Sequence, residues 1–412
     1  MKVLLLNTSE RTGGAAVASN RLMRALQKQG IEVKMLVRDK QSNNESVISI
    51  NSSFIKKRLN WIRFVWERFV IFICNCFSKK NLFQISIANT GSDITRLPVF
   101  HEADIIHLHW INQGFLSLSD LKKIIDSGKP VVWTMHDLWS ATSICHYPGK
   151  CLKFQTTCQE CPMLRHPIWD LSYEVSKQKR GLDWSKVHFV GCSHWITQLG
   201  KQSRLLQSAQ FHAIPNAIPP LFSPIKKDIA RQTLGLPIDK PLLLFGAAKI
   251  SDQRKGAEFF IKACQLLASH LTIEIILMGN SGDELPLLFP FKTHSLGYLS
   301  NERQIAQAYS CADIFIIPSL EDNLPNTIME AMACGTPCVG FATGGIPEMI
   351  DHLRNGYVAK YKSAEDLANG IRWVLEHPDK DSLSKACVEK VKRCYAEEIV
   401  AKQYIRLYQD LL

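Results

Sequence analysis

No long uninterrupted apolar run occurs in the sequence. The first, Val3 to Leu6 after Lys2, has four residues, too short for the core of a signal peptide, so it reads as a buried first strand and not as an export signal. The aromatic stretch around residue 65 is broken by Arg63, Glu67 and Arg68, which argues against a bilayer-spanning helix. No G-x-G-x-x-G string follows the first strand, so a nicotinamide or flavin cofactor is not implied. The single D-x-D string, Asp379-Lys380-Asp381, lies in a polar stretch after His377-Pro378 and reads as solvated surface instead of a catalytic metal site. Charged residues are only 21% of the chain, an ordinary globular value. Cysteine is not scarce, but 13 residues spread over 412 in an α/β pattern read as reduced intracellular thiols, not as a disulfide scaffold.

What is present points to two cores, because 412 residues exceed the size at which a single core stops growing. Short apolar runs alternate with amphipathic stretches: VLLLN, IEVKMLV, DIIHLHW, PVVWTMHD and VHFVGCS, then PLLLFGAAK, TIEIILMG, ADIFIIPS and TPCVGFA. That rhythm predicts parallel strands joined by crossover helices, twice over. The proline-rich segment Ile214 to Pro224 interrupts it and is the expected linker. The expected domains are 1–215, with insertions at 54–80 and 141–166, and 225–395, followed by a helix at 396–412 that packs back toward the first domain. Two facing sheets of this kind would form a cleft at the carboxyl ends of their strands.

The string PSLEDNLPNTIMEAMACGTPCVGFATGGIPEMI, Pro318 to Ile350, carries an acidic pair eight residues apart, then EAMA, a glycine, a strand and a GG-x-x-E turn. It resembles the signature of retaining, family-4 glycosyltransferases of the GT-B fold, and the resemblance extends over most of the chain. It implies an α/β GT-B protein of two facing, doubly wound Rossmann-like domains. It further implies that Asp322, where the family usually has glutamate, and Asn323 contact the donor sugar, and that Glu330 binds the ribose. Two vicinal hydroxyls donating to one ionised carboxylate give the physical reason for such acids. The leaving diphosphate needs positive charge and backbone N–H donors; FGAAKISDQRKGAEFF supplies Lys249, Arg254 and Lys255, and Gly344-Gly345 is a turn small enough for close approach. Basic residues at a helix start are electrostatically unfavourable without an anion nearby.

In the first half, Gly13 and Gly14 open a helix after the first strand and are expected near the reacting sugar. His136 ends a later strand; the resemblance places a histidine near the sugar there, with Asp137 beside it to orient an imidazole. His107 and His109 are expected to line the same cleft, and Asn216 to occupy the turn entering the second domain. Cys145, Cys151, Cys158 and Cys161 sit in the 141–166 insertion with His146 and His166 close by. This spacing fits either a structural zinc or free, packed thiols. Between Phe54 and Lys80, seven Lys or Arg face one acid amid Trp61, Trp66 and five phenylalanines, a large part of the net charge of +11. That composition fits an amphipathic segment on an anionic membrane surface or a helical excursion packed on the sheet.

These readings converge on an enzyme that moves a hexosyl-type sugar from a UDP- or GDP-sugar to a saccharide or lipid-linked acceptor. Retention, no cofactor for catalysis, a role in capsule, exopolysaccharide or lipopolysaccharide synthesis, no nucleic-acid partner, and a cytoplasmic location at the inner membrane face complete the expectation. Its rivals are a phosphorylase or nucleotide-sugar epimerase using the same cleft, and a non-catalytic nucleotide-sugar or membrane-binding protein of the same fold.

Overall fold

The computed structural model describes the chain from Met1 to Leu412 except residues 166–168, 250–251, 281 and 283, and the side chains of 248 and 249. His166 therefore lies outside the described residues, as does the Lys249 side chain. Contacts divide the chain into two units: Met1–Pro215 with Val400–Leu412, and Asn216–Ile399. The segment after Pro215 belongs to the second unit, where Ile218 bridges to Ala396.

The first unit is built on seven strands: β1 (Lys2–Ser9), β2 (Glu32–Asp39), β3 (Val47–Ser49), β4 (Ile105–Leu108), β5 (Val131–Met135), β6 (Val187–Gly191) and β7 (Gln210–Ala213). They form one parallel sheet in the order β3-β2-β1-β4-β5-β6-β7. Helices cover both faces of such a sheet, so its strands must be apolar on both sides; Leu4, Leu5, Leu6, Ile105, Ile106, Val131 and Val132 are accordingly buried. The order reverses between β1 and β4, where Leu5 is in register with both Met35 and His107. Ligands of open α/β sheets bind outside the strand ends at such a switch point.

The second unit repeats the plan with β8 (Leu242–Lys249), β9 (Glu274–Asn280), β10 (Thr293–Gly297), β11 (Ile314–Ile317), β12 (Cys338–Phe341) and β13 (Gly356–Ala359). Its parallel order is β10-β9-β8-β11-β12-β13, with the switch between β8 and β11. A core of Leu243, Phe245, Phe260, Ile275, Ile316 and Phe341 fills it.

Two insertions in the first unit depart from this plan. Residues Phe54–Cys74 form a 21-residue helix capped by the Ser53 side chain, which accepts from the Lys56 N–H. Its burial is inverted: Asn60, Glu67, Arg68 and Ile71 face inward, while Phe54, Ile55, Trp61, Ile62, Trp66 and Phe69 are exposed. Polar bonds hold it. Glu67 Oε1 accepts the Ile87 and Ala88 N–H groups at 2.9 and 3.0 Å, and Arg68 pairs with Glu67 at 2.9 Å and donates to the Ile85 carbonyl. No helix among the described residues is long and apolar enough to cross a membrane. The second insertion, after β5, contains, among its described residues, one 3-10 turn, Lys153–Gln155, before the helix Leu171–Arg180.

Candidate active site

In the second unit the strand-end loops after β8 and β11 bring the expected residues together. After β8 the Asp252 side chain caps a 3-10 turn, Gln253–Lys255, and Gly256 reverses the chain into the helix Ala257–Leu267. The φ of Gly256 is +68°, and a Cβ there would sit 1.9 Å from the Pro318 carbonyl oxygen, so only glycine allows this approach to the end of β11. The Leu320 N–H then donates to the Arg254 carbonyl at 2.7 Å. This stitching places Lys255 Nζ 2.8 Å from Asp322 Oδ2, joining two positions 67 residues apart.

Gly344 packs on the other side of the same loop. With φ at +57°, a Cβ would lie 1.6 Å from the Asp322 carbonyl oxygen, and the Gly345 N–H donates to the Asn323 carbonyl at 2.7 Å. The small size required at Gly344 thus serves loop-to-loop packing against Asp322. Arg254 forms an ion pair with Asp252 at 2.7 Å. Asn326–Ala333 is a helix whose Glu330 is buried. The phenol of Tyr309, on the helix Glu302–Cys311, donates to Glu330 Oε2 at 3.0 Å. Burial raises the Tyr309 pKa well above its ordinary value, with the Glu330 charge adding to the effect, so it remains a donor. Tyr309 escaped the sequence reading because it lies 21 residues from Glu330, with no local motif linking them. Asn216 donates to Asn326 Oδ1 at 3.1 Å, an architectural tie at the start of that helix.

The first unit presents a different arrangement. Gly13, with φ +94° and ψ 161°, precedes the helix Gly14–Lys28, a backbone region essentially reserved for glycine, and nothing lies within 4 Å of where its Cβ would be. Just before it, Glu10 is buried and accepts the Gln41 and Ser42 N–H groups at 2.6 and 2.9 Å. Burial opposes its charge, but the Ser42 hydroxyl and these amides more than offset that and lower its pKa. An acid directly between strand and glycine pair was the signal that would have found it.

His136, half-buried, shares a 2.9 Å hydrogen bond between its Nε2 and His109 Nδ1, and its Nδ1 lies 3.6 Å from Cys192 Sγ. His109 stacks on His107, whose Nδ1 meets Tyr408 Oη and whose Nε2 meets Thr134 Oγ1, both at 2.7 Å. Thr134 continues to Tyr404 Oη at 2.9 Å, both tyrosines lying on the helix Glu397–Leu411. Burial holds His107 down at about 3 and His136 at about 4; both are neutral imidazoles at physiological pH. Two expectations are corrected here. His107 and His109 are buried inside the sheet layer and line no surface, since a strand enclosed on both faces exposes neither side. Asp137 does not orient His136: its Oδ2 takes Trp110 Nε1 at 2.8 Å and His146 Nδ1 at 2.7 Å.

The four cysteines of the insertion, Cys145, Cys151, Cys158 and Cys161, carry free thiols and line one cavity of about 20 Å³. No three His, Cys, Asp or Glu side chains among the described residues stand at metal-ligating spacing. On the helix that follows the insertion, Lys179 is fully buried, its pKa pushed by burial down to about 7. Asp379, of the D-x-D string, caps the helix Lys380–Cys394.

Family comparisons cover both units. The description "Glycosyltransferase Family 4" matches residues 12–220, and "Glycosyl transferases group 1" matches residues 240–377. The chain belongs to glycosyltransferase family 4. This family-4 chain is 23% identical to the putative colanic acid biosynthesis glycosyl transferase WcaC of Escherichia coli K12, with 100% of each chain covered. It is 27% identical over 188 residues to the N,N'-diacetylbacillosaminyl-diphospho-undecaprenol alpha-1,3-N-acetylgalactosaminyltransferase of Campylobacter jejuni, covering 45% of this chain and 49% of that one. Apart from the full-length E. coli match, the chain spans about half the length of the curated relatives it matches or less. Among solved structures, sucrose-phosphate synthase of Thermosynechococcus elongatus superposes with a TM-score of 0.70 at 20% identity, covering 100% of this chain and 99% of that one. Anabaena HepE in complex with UDP-glucose gives 0.63 at 16%, covering both chains completely. The fold is thus the α/β GT-B type, with two parallel-sheet Rossmann-like halves.

Proposed function

We propose that this protein transfers a hexosyl-type sugar, with retention, from a UDP- or GDP-sugar to a saccharide or lipid-linked acceptor in cell-envelope polysaccharide synthesis. The observation that carries this reading is the Lys255–Asp322 pair held at 2.8 Å at the ends of β8 and β11, with Glu330 buried behind it. A lysine already committed to a carboxylate in an open strand-end loop is placed to neutralise a diphosphate. Asp322 is then freed to accept hydrogen bonds from the donor sugar, and Glu330, braced by Tyr309, to accept from the ribose hydroxyls. Arg254 and the Gly344-Gly345 turn add charge and backbone donors for the phosphates. Neutral His136, at the carboxyl end of β5, is the first unit's contribution in this reading, its ring oriented by His109 and Cys192.

In the reaction the bond from the anomeric carbon to the diphosphate breaks, its electrons remaining on the phosphate oxygen. The acceptor oxygen bonds to the same face of that carbon and its proton passes to the departing phosphate. Lys255 stabilises the charge that develops there, and no side-chain nucleophile is required. The relatives support the substrate classes: a UDP-glucose complex for HepE and a diphospho-undecaprenol acceptor in the name of the Campylobacter enzyme.

A lipid-linked acceptor also suits the inverted helix Phe54–Cys74. Its outward face exposes Trp61 and Trp66 and carries Lys56, Lys57 and Arg58 near its start, a complement to an anionic membrane surface. The occupant of this face in the proposal is the inner leaflet of the cytoplasmic membrane. Sedimentation with phosphatidylglycerol vesicles tests it: binding that is lost at high salt and in Trp61→Ser/Trp66→Ser supports the reading, and equal affinity for neutral phosphatidylcholine overturns it.

The activity is tested by nucleoside-diphosphate release from UDP-, GDP- and ADP-sugars, with and without lipid-linked acceptor extract. Release from one donor that Glu330→Ala and Lys255→Ala abolish and acceptor stimulates is the expected result. Donor binding without turnover under every condition would make this a donor-binding protein instead.

A further inference from the structure

Neither donor nor acceptor accounts for the cysteine insertion. From His146 to Met163 the chain makes one 3-10 turn and buries a single large hydrophobic side chain, Phe154. A loop of this length with so little core needs another source of order. Its four cysteines come from well-separated positions yet all line the same small cavity, of about 20 Å³, room for one water-sized occupant. None is in a disulfide. Two of the sulfurs already accept backbone amides, Cys158 from Ser143 and Cys161 from Met163, the kind of donor that steadies a thiolate ligand.

The second observation is Lys179, from the helix Leu171–Arg180. It has no solvent exposure. Its ammonium donates to the Trp139 and Thr142 carbonyls and lies 3.5 Å from the centroid of the Trp139 ring. Among the described residues no carboxylate forms an ion pair with it, and the side chains of Cys158 and Cys145 act on it electrostatically more strongly than Asp137 does. A buried cation is normally paired. Here the thiols of the cavity are the groups that would supply the negative charge on ionising.

We propose that Cys145, Cys151, Cys158 and Cys161 bind one zinc ion as a structural tetrathiolate, with Lys179 as its buried counter-charge. The four thiols release four protons to solvent, and Zn²⁺ with four thiolates carries a net charge of −2, which the lysine reduces. No electron is transferred. In the structure no three of the sulfurs stand at ligating spacing, so the proposal requires the four side chains to turn toward the cavity they share. The ion then fixes the insertion to the end of β5, next to His136, without entering the reaction.

The test uses the full chain, expressed in zinc-supplemented medium and purified without chelator, and reads metal instead of activity. Elemental analysis should find about one zinc per chain. Cys158→Ser/Cys161→Ser should lower the content at least about fivefold, and Cys394→Ser, in the other unit, should leave it unchanged. If the double variant does not fold, cobalt titration of the metal-stripped wild type decides: a thiolate-to-cobalt charge-transfer band saturating at about one equivalent supports the site. Zinc-free native protein with no cobalt band, zinc content unaltered in a folded double variant, or a disulfide among the four overturns it.

Discussion

Behind its strand ends the first unit places a buried chain of neutral rings, His136 to His109 to His107 to Tyr408, and the second an ion pair gripped between two glycine-bearing loops. The two sheets share a topology, so the difference is in how side chains are held. Neutral imidazoles avoid the cost of burying a charge, and burial in turn disfavours their protonation. The Lys255–Asp322 pair remains partly solvated, with side-chain exposures of 33% and 15%, and owes its position to backbone packing. One unit therefore depends on protonation state and the other on loop geometry, and that contrast can be pushed from both sides.

The largest effect is expected at Gly344. Gly344→Ala would drive a methyl into the Asp322 carbonyl at 1.6 Å and should destabilise the second unit by about 3 kcal/mol or more, measured by hydrogen exchange of β11 and β12. Gly13→Ala, where the added methyl meets open space, should cost only the backbone strain, about 1–2 kcal/mol. Equal costs would erase the distinction.

Acid probes the other side. The folded pKa values of His107 and His136, about 3 and about 4, lie below their ordinary 6.5, so between those values the unfolded chain binds more protons. Stability is then complete above about pH 6.5 and falls as pH drops. By pH 5 the loss is about 2 kcal/mol for each of the two. Eight of the nine tryptophans lie in the first unit, so intrinsic fluorescence in urea reports it selectively. In the second unit Glu274 titrates below its ordinary 4.5, burial being outweighed by Lys240 and His294, so its softening should begin at lower pH. Simultaneous loss at pH 5 would sink the contrast.

The smallest effect is Asp322→Asn. Its stability cost should stay below about 1 kcal/mol because the pair is partly exposed, while turnover falls at least about tenfold if the carboxylate contacts the donor sugar. A stability loss as large as that of Gly344→Ala would make Asp322 a structural residue.

Much of this was legible in the sequence. Two parallel sheets followed from repeated apolar runs on either side of a proline-rich break, because parallel strands are buried on both faces and announce themselves. Motifs named Lys255 and Asp322 separately, and their pairing is visible only in the structure. Contacts across the sheet were not legible. Tyr309 reaches Glu330 from a neighbouring helix, Tyr404 and Tyr408 reach the histidines from some 270 to 300 residues away, and Asp137 prefers His146 over its own neighbour. Alternation on DIIHLHW suggested an exposed face at His107 and His109; enclosure of β4 by layers on both sides removed it. The basic, aromatic stretch at 54–80 could be read two ways from composition, and only the buried Glu67 and Arg68 show which way the helix faces.

The return of the final helix to the first unit has a practical side. In chain order the second unit is an insert: residues 216–399 are continuous, whereas the first needs both 1–215 and 400–412. A cut after Pro215 would therefore yield a first half stripped of Tyr404 and Tyr408, with His107 and Thr134 left as buried groups lacking partners, while the 216–399 piece keeps its own core. Anyone dividing this protein for expression at that point would be editing the interior of the first unit from the far side of the inserted one.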